Sequence, residues 1–163
     1  MKTKIFIILC FLLFTTSCDK TPDNGEKQLT YNETFIDVYK DEKDKIVIKK
    51  ADLTNDVVFL NYKVGGVTIQ LIAIKFNDTY YLLFNTCASC SPSKKAYFVW
   101  TGQKLICQNC GYGFTLEEAI KDLDGCHPIK VQNIEETKDV IIVNKDIVEA
   151  QIGNFTNWAG PTS

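Results

Sequence analysis

The sequence predicts an α+β fold: a small β-rich domain of antiparallel strands and hairpins, with two C-x-x-C knuckles and one or two short helices. Three observations predict it. From Lys45 onward the chain is built of short runs of β-branched and aromatic residues, a composition suited to pleated, half-buried surfaces. Two-residue turn signals separate several of those runs. One segment, residues 114–121, opens with a helix-start pattern.

Taken in order, residues 46–48, 57–64, 67–76 and 80–85 read as strands. Gly65-Gly66 lies between the second and third of these, where a tight hairpin needs positive φ. Asn77-Asp78 does the same between the third and fourth. The 67–76 run carries apolar side chains on both alternating faces, which marks a central strand covered on both sides. A second hairpin is expected from 96–100 and 104–107, turning at Thr101-Gly102-Gln103. Thr115 followed three residues later by Glu118 is a capping box, so a short helix should begin there. Further strands are expected at 129–132 and 140–143, then a helical turn at 145–150. Between residues 31 and 44 the apolar positions suit a short helix and an edge segment equally.

With 163 residues, 45% of them hydrophobic, the chain can build one ordinary core. All 18 basic residues are Lys, and the formal charge is -2. Nucleic-acid readers rely on a dense basic surface and on the bidentate guanidinium, so no nucleic-acid partner is expected.

The amino terminus reads as an address. Lys2 and Lys4 precede a ten-residue apolar run, 5–14, followed by Thr15-Thr16-Ser17 and Cys18. The run is shorter than the roughly 20 residues a membrane-spanning helix needs. Residues 1–17 therefore resemble a bacterial lipoprotein signal peptide, with Cys18 as the lipid anchor, and the alternative is a plain secretory signal or uncleaved anchor. Residues 18–44 then form the anchor and a flexible tether, and 45–163 the metal-binding domain. Cleavage removes two Lys and takes the formal charge from -2 to -4, so attachment by charge to anionic lipid is not expected. The expected location is the bacterial cell envelope, on the periplasmic or extracellular side.

The cysteines carry the chemistry. Cys87-Ala-Ser-Cys90 and Cys107-Gln-Asn-Cys110 are two C-x-x-C units with sixteen residues between them, a spacing typical of four-thiolate metal sites. Gly111 suits the positive φ that ends such a knuckle, whereas the first knuckle continues as Ser91-Pro92. Disulfide chemistry is the competing reading for an exported domain. Without Cys10 and a lipidated Cys18, five Cys remain, and an odd number cannot all pair within one chain. Neither C-x-x-C unit opens the helix expected of a thioredoxin-like dithiol, so thiol-disulfide exchange is the weaker alternative. Cys126 and the chain's single His, His127, are further candidate ligands. No serine-nucleophile array or phosphate loop can be assembled, so a non-enzymatic role is favoured.

The segments Phe84-Asn-Thr-Cys-Ala-Ser-Cys90, Lys104-Leu-Ile-Cys-Gln-Asn-Cys-Gly111 and Gly125-Cys-His-Pro-Ile129 together resemble the FtrD-like family of bacterial membrane-associated iron-sulfur proteins. The resemblance implies a cluster-binding electron-transfer partner of an iron (or copper) permease. It also implies Cys87, Cys90, Cys107 and Cys110 as ligands, with Cys126 as the additional family cysteine. The family pattern has a paired glycine and then Cys-Asn-Pro, where this chain has Asp124-Gly125 and His127 after the Cys. Four thiolates accept an iron-sulfur cluster, a single iron, zinc or copper. No Arg exists to form a twin-arginine export signal, which keeps zinc, copper and mononuclear iron open beside a cluster. A zinc ribbon that scaffolds a protein partner is the second functional class.

Overall fold

The computed structural model describes residues 33–163. The expected signal peptide, Cys18 and most of the tether lie outside the described residues. Eleven strands and two α-helices form three sheets among them.

A five-stranded sheet is the middle layer, in the order β1-β3-β4-β5-β9. Its strands are β1 (Phe35–Val38), β3 (Val57–Val64), β4 (Val67–Phe76), β5 (Thr79–Cys87) and β9 (Pro128–Lys130). The hairpin turns form where small or left-handed-tolerant residues stand: Gly65 and Gly66 have φ +55° and +78°, and Asn77 and Asp78 have +49° and +60°. The β3–β4 register runs from Val64 opposite Val67 to Val57 opposite Ile74. β4 is central and buried along its middle, from Ile69 to Ile74, as its two apolar faces require.

Phe35–Val38 precedes the expected start of the domain at residue 45, yet it pairs in parallel with β3 as an edge strand. The physical reason is packing across one strand spacing: Phe35 stacks on Phe59 with centroids 5.4 Å apart, and Val38 is buried in the core. Within the described part of the 31–44 stretch, residues 33–44, this gives an edge segment and not a helix.

A small sheet covers each face of the middle one. On one side lie β2 (Lys45–Lys49), β11 (Val140–Asn144) and β10 (Glu135–Glu136), ordered β10-β11-β2, together with α2 (Lys145–Glu149). Their Ile46, Ile48, Ile141, Val143 and Val148 pack on Leu60, Leu71 and Phe84 of the middle sheet. On the other side lie β6 (Phe98–Trp100), β7 (Leu105–Cys107) and β8 (Gly113–Phe114), ordered β6-β7-β8, with α1 (Leu116–Ala119). Here Phe98, Leu105, Phe114 and Ala119 meet Phe59, Ile72 and Leu83. The capping box read from Thr115 and Glu118 is formed.

The first of these layer contacts is reinforced by Tyr62, whose hydroxyl donates to Glu149 Oε1 at 2.7 Å. Burial first, and the neighbouring Glu149 carboxylate second, push its pKa up to about 12 from 10.0. The unfolded chain thus loses this proton first as pH rises, so the stabilisation is complete below pH 10 and disappears as pH passes 12. We expect urea-unfolding stability to fall between pH 10 and 12, with a smaller fall in Tyr62→Phe.

A row of polar side chains crosses the middle sheet on the face that also carries Phe59 and Leu83. Asn61, Gln70 and Asn85 are buried, on β3, β4 and β5. Gln70 Nε2 donates to Asn61 Oδ1 at 2.7 Å, and Asn85 Nδ2 donates to Gln70 Oε1 at 2.6 Å. This row holds the carboxyl-terminal segment: Gln70 at its centre donates to Pro161 O and Asn61 at one end to Thr162 O. Trp158 Nε1 donates to Asn85 O, and Gly160 is the residue whose lack of a Cβ lets the chain pass the Trp158 ring.

Candidate metal centre

Each knuckle hangs from the end of a strand. β5 delivers Cys87, and β7 delivers Cys107. Cys87 N donates to Ala96 O, Gln108 N donates to Tyr97 O, and Cys107 N donates to Tyr112 O, each at 2.8–2.9 Å. The first and second knuckles are therefore fastened to the same stretch of chain leading into β6. Within the knuckles, Ser91 N donates to Cys87 O and Gly111 N to Cys107 O. Gly111 has φ +76°, the left-handed conformation expected from its place after Cys110. Neither C-x-x-C unit begins a helix.

The carboxyl-terminal segment braces the first knuckle from the side. Ser91 Oγ donates to Asn154 Oδ1 at 2.8 Å, and Ala159 N donates to Lys94 O at 3.0 Å. The loop bearing Cys126 is tied to the same knuckle, because Ala88 N donates to His127 O at 2.9 Å. Gly125, at φ +93°, makes the turn that brings Cys126 inward.

Five sulfurs converge. Those of Cys87, Cys90, Cys110 and Cys126 all lie within 4.8 Å of one another. Cys107 stands beside this group, its sulfur 3.9 Å from that of Cys90. The four sulfurs within mutual reach are thus those of Cys87, Cys90, Cys110 and Cys126, with Cys107 beside them through its contact with Cys90. Cys87 and Cys107 are fully buried, while Cys90, Cys110 and Cys126 are half-buried, so the cluster has a closed floor and a solvent-facing rim. All five cysteines are free thiols with no disulfide among them. His127 is not in the converging group; its Nδ1 lies 3.0 Å from Gly125 O.

Electrostatics divides the thiols. The neighbouring Cys107 sulfur first, and burial second, push the Cys87 pKa up. The Cys87 side chain, aided by the backbone N–H groups of Cys110 and Asn109 against the opposing effect of burial, brings the Cys107 pKa down to about 5. Burial raises Cys90 and Cys110, opposed at Cys90 by the Asn109 side chain and at Cys110 by the Tyr112 N–H. One thiolate ringed by N–H donors and soft, polarisable sulfurs is a receptor for a soft or borderline cation.

The donor set fits a metal, and its spacing is that of a compact centre. A tetrahedral ion with sulfur ligands at about 2.3 Å separates those sulfurs by about 3.8 Å, close to the observed 3.9 Å between Cys90 and Cys107. The fold and site therefore define a β-rich, thiolate-rich metal-binding domain. The chain belongs to the FtrD-like family, described as membrane iron-sulfur containing proteins, whose pattern matches residues 54–155. No curated protein and no solved structure matches it. Among the described residues, no helix is long and apolar enough to cross a membrane.

Two sets of residues were beyond the reach of sequence reasoning. Asn109 and Ser93 hydrogen-bond one another across the knuckles; Asn109 sits inside a C-x-x-C unit, which is the one signal that could have singled it out. The Asn61-Gln70-Asn85 row left no sequence signal, since its members are far apart in the chain.

Proposed function

We propose that this protein is a lipid-anchored component of the bacterial cell envelope that carries a redox-active metal centre and serves electron transfer or metal handling in iron uptake, with copper as the next candidate. The observation that carries the reading is the convergence of both C-x-x-C units into one five-sulfur cluster, in a chain of a family described as iron-sulfur containing. Cys87, Cys90, Cys107 and Cys110 are the proposed ligands, because both fully buried thiols and the sulfurs best supplied with backbone N–H donors belong to that set. Cys126 is a fifth thiol at the rim, and His127 has no ligand role in this reading. Iron bound there supplies a one-electron couple. The chain's own residues hold the thiolates in a preformed, half-shielded pocket, which keeps reorganisation small and leaves the rim open to a redox partner or permease. Cys18 anchors the domain to the membrane, with the tether setting its reach.

The sulfur spacing also suits a colourless zinc ion, which makes a zinc ribbon that scaffolds a protein partner the second reading. Elemental analysis with an ultraviolet-visible spectrum of anaerobically purified protein separates the two. Stoichiometric iron, with charge-transfer absorption that bleaches on reduction, is the expected result. Stoichiometric zinc without visible absorption would replace the redox reading with the scaffold reading.

A further inference from the structure

The five sulfurs differ in what carries them. Cys87 ends β5 and Cys107 ends β7. Both are fully buried, and each shares a C-x-x-C turn with a half-buried partner, Cys90 or Cys110. Cys126 belongs to neither knuckle. It follows an exposed loop, residues 121–125, and the bond from Ala88 N to His127 O, at 2.9 Å, sets it beside the first knuckle. Its sulfur nevertheless lies within 4.8 Å of those of Cys87, Cys90 and Cys110. Sulfurs that share a tetrahedral ion stand about 3.8 Å apart, so any pair in this group has about 1 Å or less to close, 4.8 less about 3.8.

Four thiolates complete a tetrahedral site, so a fifth within reach is surplus once the site is filled. Its use lies in filling and emptying. Cys87 and Cys107 are closed off from solvent, and an ion arriving from solution meets the rim first, where Cys90, Cys110 and Cys126 stand together. Three soft sulfurs at the surface are a first stop for a thiophilic cation. A thiol that follows an exposed loop can advance and withdraw without disturbing a strand, whereas thiols at the ends of β5 and β7 are fixed by their sheets.

We propose that Cys126 is an exchange ligand: with Cys90 and Cys110 it forms a rim site that takes up a thiophilic divalent cation and passes it to the buried floor. This rests on the reading of the cysteine cluster as a metal centre. Cys90, Cys110 and Cys126 bind first, Cys87 and Cys107 follow, and Cys126 then lets go. Two sulfur–metal bonds thus form at the floor while one breaks at the rim. Each thiol that binds as a thiolate gives its proton to solvent, the released Cys126 sulfur takes one back, and the oxidation state of the ion does not change. Release runs through the same steps in reverse.

The test uses the full chain, purified anaerobically without metal. Uptake of cobaltous ion is timed by its sulfur-to-cobalt absorption and release by transfer to a chelator, with ferrous iron as the second probe. A group that only lowers the barrier between rim and floor speeds both directions alike. Cys126→Ser and Cys126→Ala are therefore expected to slow uptake and release together, each about tenfold, as befits the loss of a thiol held ready within the site, while stoichiometric binding and affinity stay unchanged. Faster release with weaker affinity would make Cys126 a permanent ligand, and unchanged rates would make it a bystander; either result overturns the proposal. Both variants are small replacements at a half-buried rim position, and circular dichroism checks the fold. Wild-type protein that takes up cobalt but not ferrous iron overturns the iron reading, and the cobalt rates still decide the exchange role. Wild-type protein that takes up neither ion overturns both.

Discussion

Cys87→Ser is expected to abolish stoichiometric metal binding and to lower the thermal midpoint of the metal-loaded protein to that of the metal-free chain. Cys87 is fully buried, closes the floor of the cluster, and stands at the end of β5, so no flexible neighbour can take its place. Removing a ligand should cost more than the 10–100-fold in affinity typical of outer-shell changes, because binding energy at such a centre is also folding energy. Cys107→Ser should behave alike. Cys126→Ser, at the half-buried rim, should keep its metal. Metal-to-protein ratios for the three variants decide the ligand set: a Cys126→Ser protein without metal, beside a Cys107→Ser protein that retains it, would move the fourth ligand from the floor to the rim.

The second large effect is expected far from the sulfurs. Gln70→Leu preserves volume but removes the centre of the buried polar row. It strands Asn61 Oδ1 and the Pro161 carbonyl, which Gln70 Nε2 serves at 2.7 and 2.8 Å. At roughly 1–3 kcal/mol for each buried group left unpaired, destabilisation of about 3 kcal/mol is expected. The carboxyl-terminal segment should loosen with it, and with that segment the bond from Ala159 N to Lys94 O beside the first knuckle. Urea unfolding of the variant measures the first effect, and amide exchange at Ala159 the second. A loss below about 1 kcal/mol would show that the row orders the tail without stabilising the sheet.

Much of the fold was legible because its signals are local. Gly65-Gly66 and Asn77-Asp78 placed two hairpin turns, Thr115 and Glu118 placed α1, and the double-faced apolar run placed β4 at the centre; each of these reports on residues a few positions apart. The strand at 129–132 appears as Pro128–Lys130 and the one at 140–143 as Val140–Asn144, shifts of a residue or two at frayed ends. Residues 33–44 could not be resolved locally, because what decides them is the parallel pairing of Phe35–Val38 with β3 and the ring of Phe59 waiting there.

The candidate site divides in the same way. C-x-x-C spacing alone identified four thiols as a unit, since two intervening residues suffice to turn one sulfur toward its partner. The equal standing of Cys126 among the sulfurs depends on the Gly125 turn and on the tie from Ala88 to His127 O, contacts between segments nearly forty residues apart. His127 drew notice as the only histidine, yet it lies outside the converging group.

What the sequence by itself determined was therefore the kind of protein: β-rich, Arg-free and thiolate-bearing, because composition, turn chemistry and C-x-x-C spacing are all properties of short stretches of chain. The tertiary structure alone decided which sulfurs share a floor and a rim, and how a carboxyl-terminal tail comes to brace a metal knuckle. Those are relations among strands brought side by side only when the sheets close on one another, and no spacing along the chain encodes them.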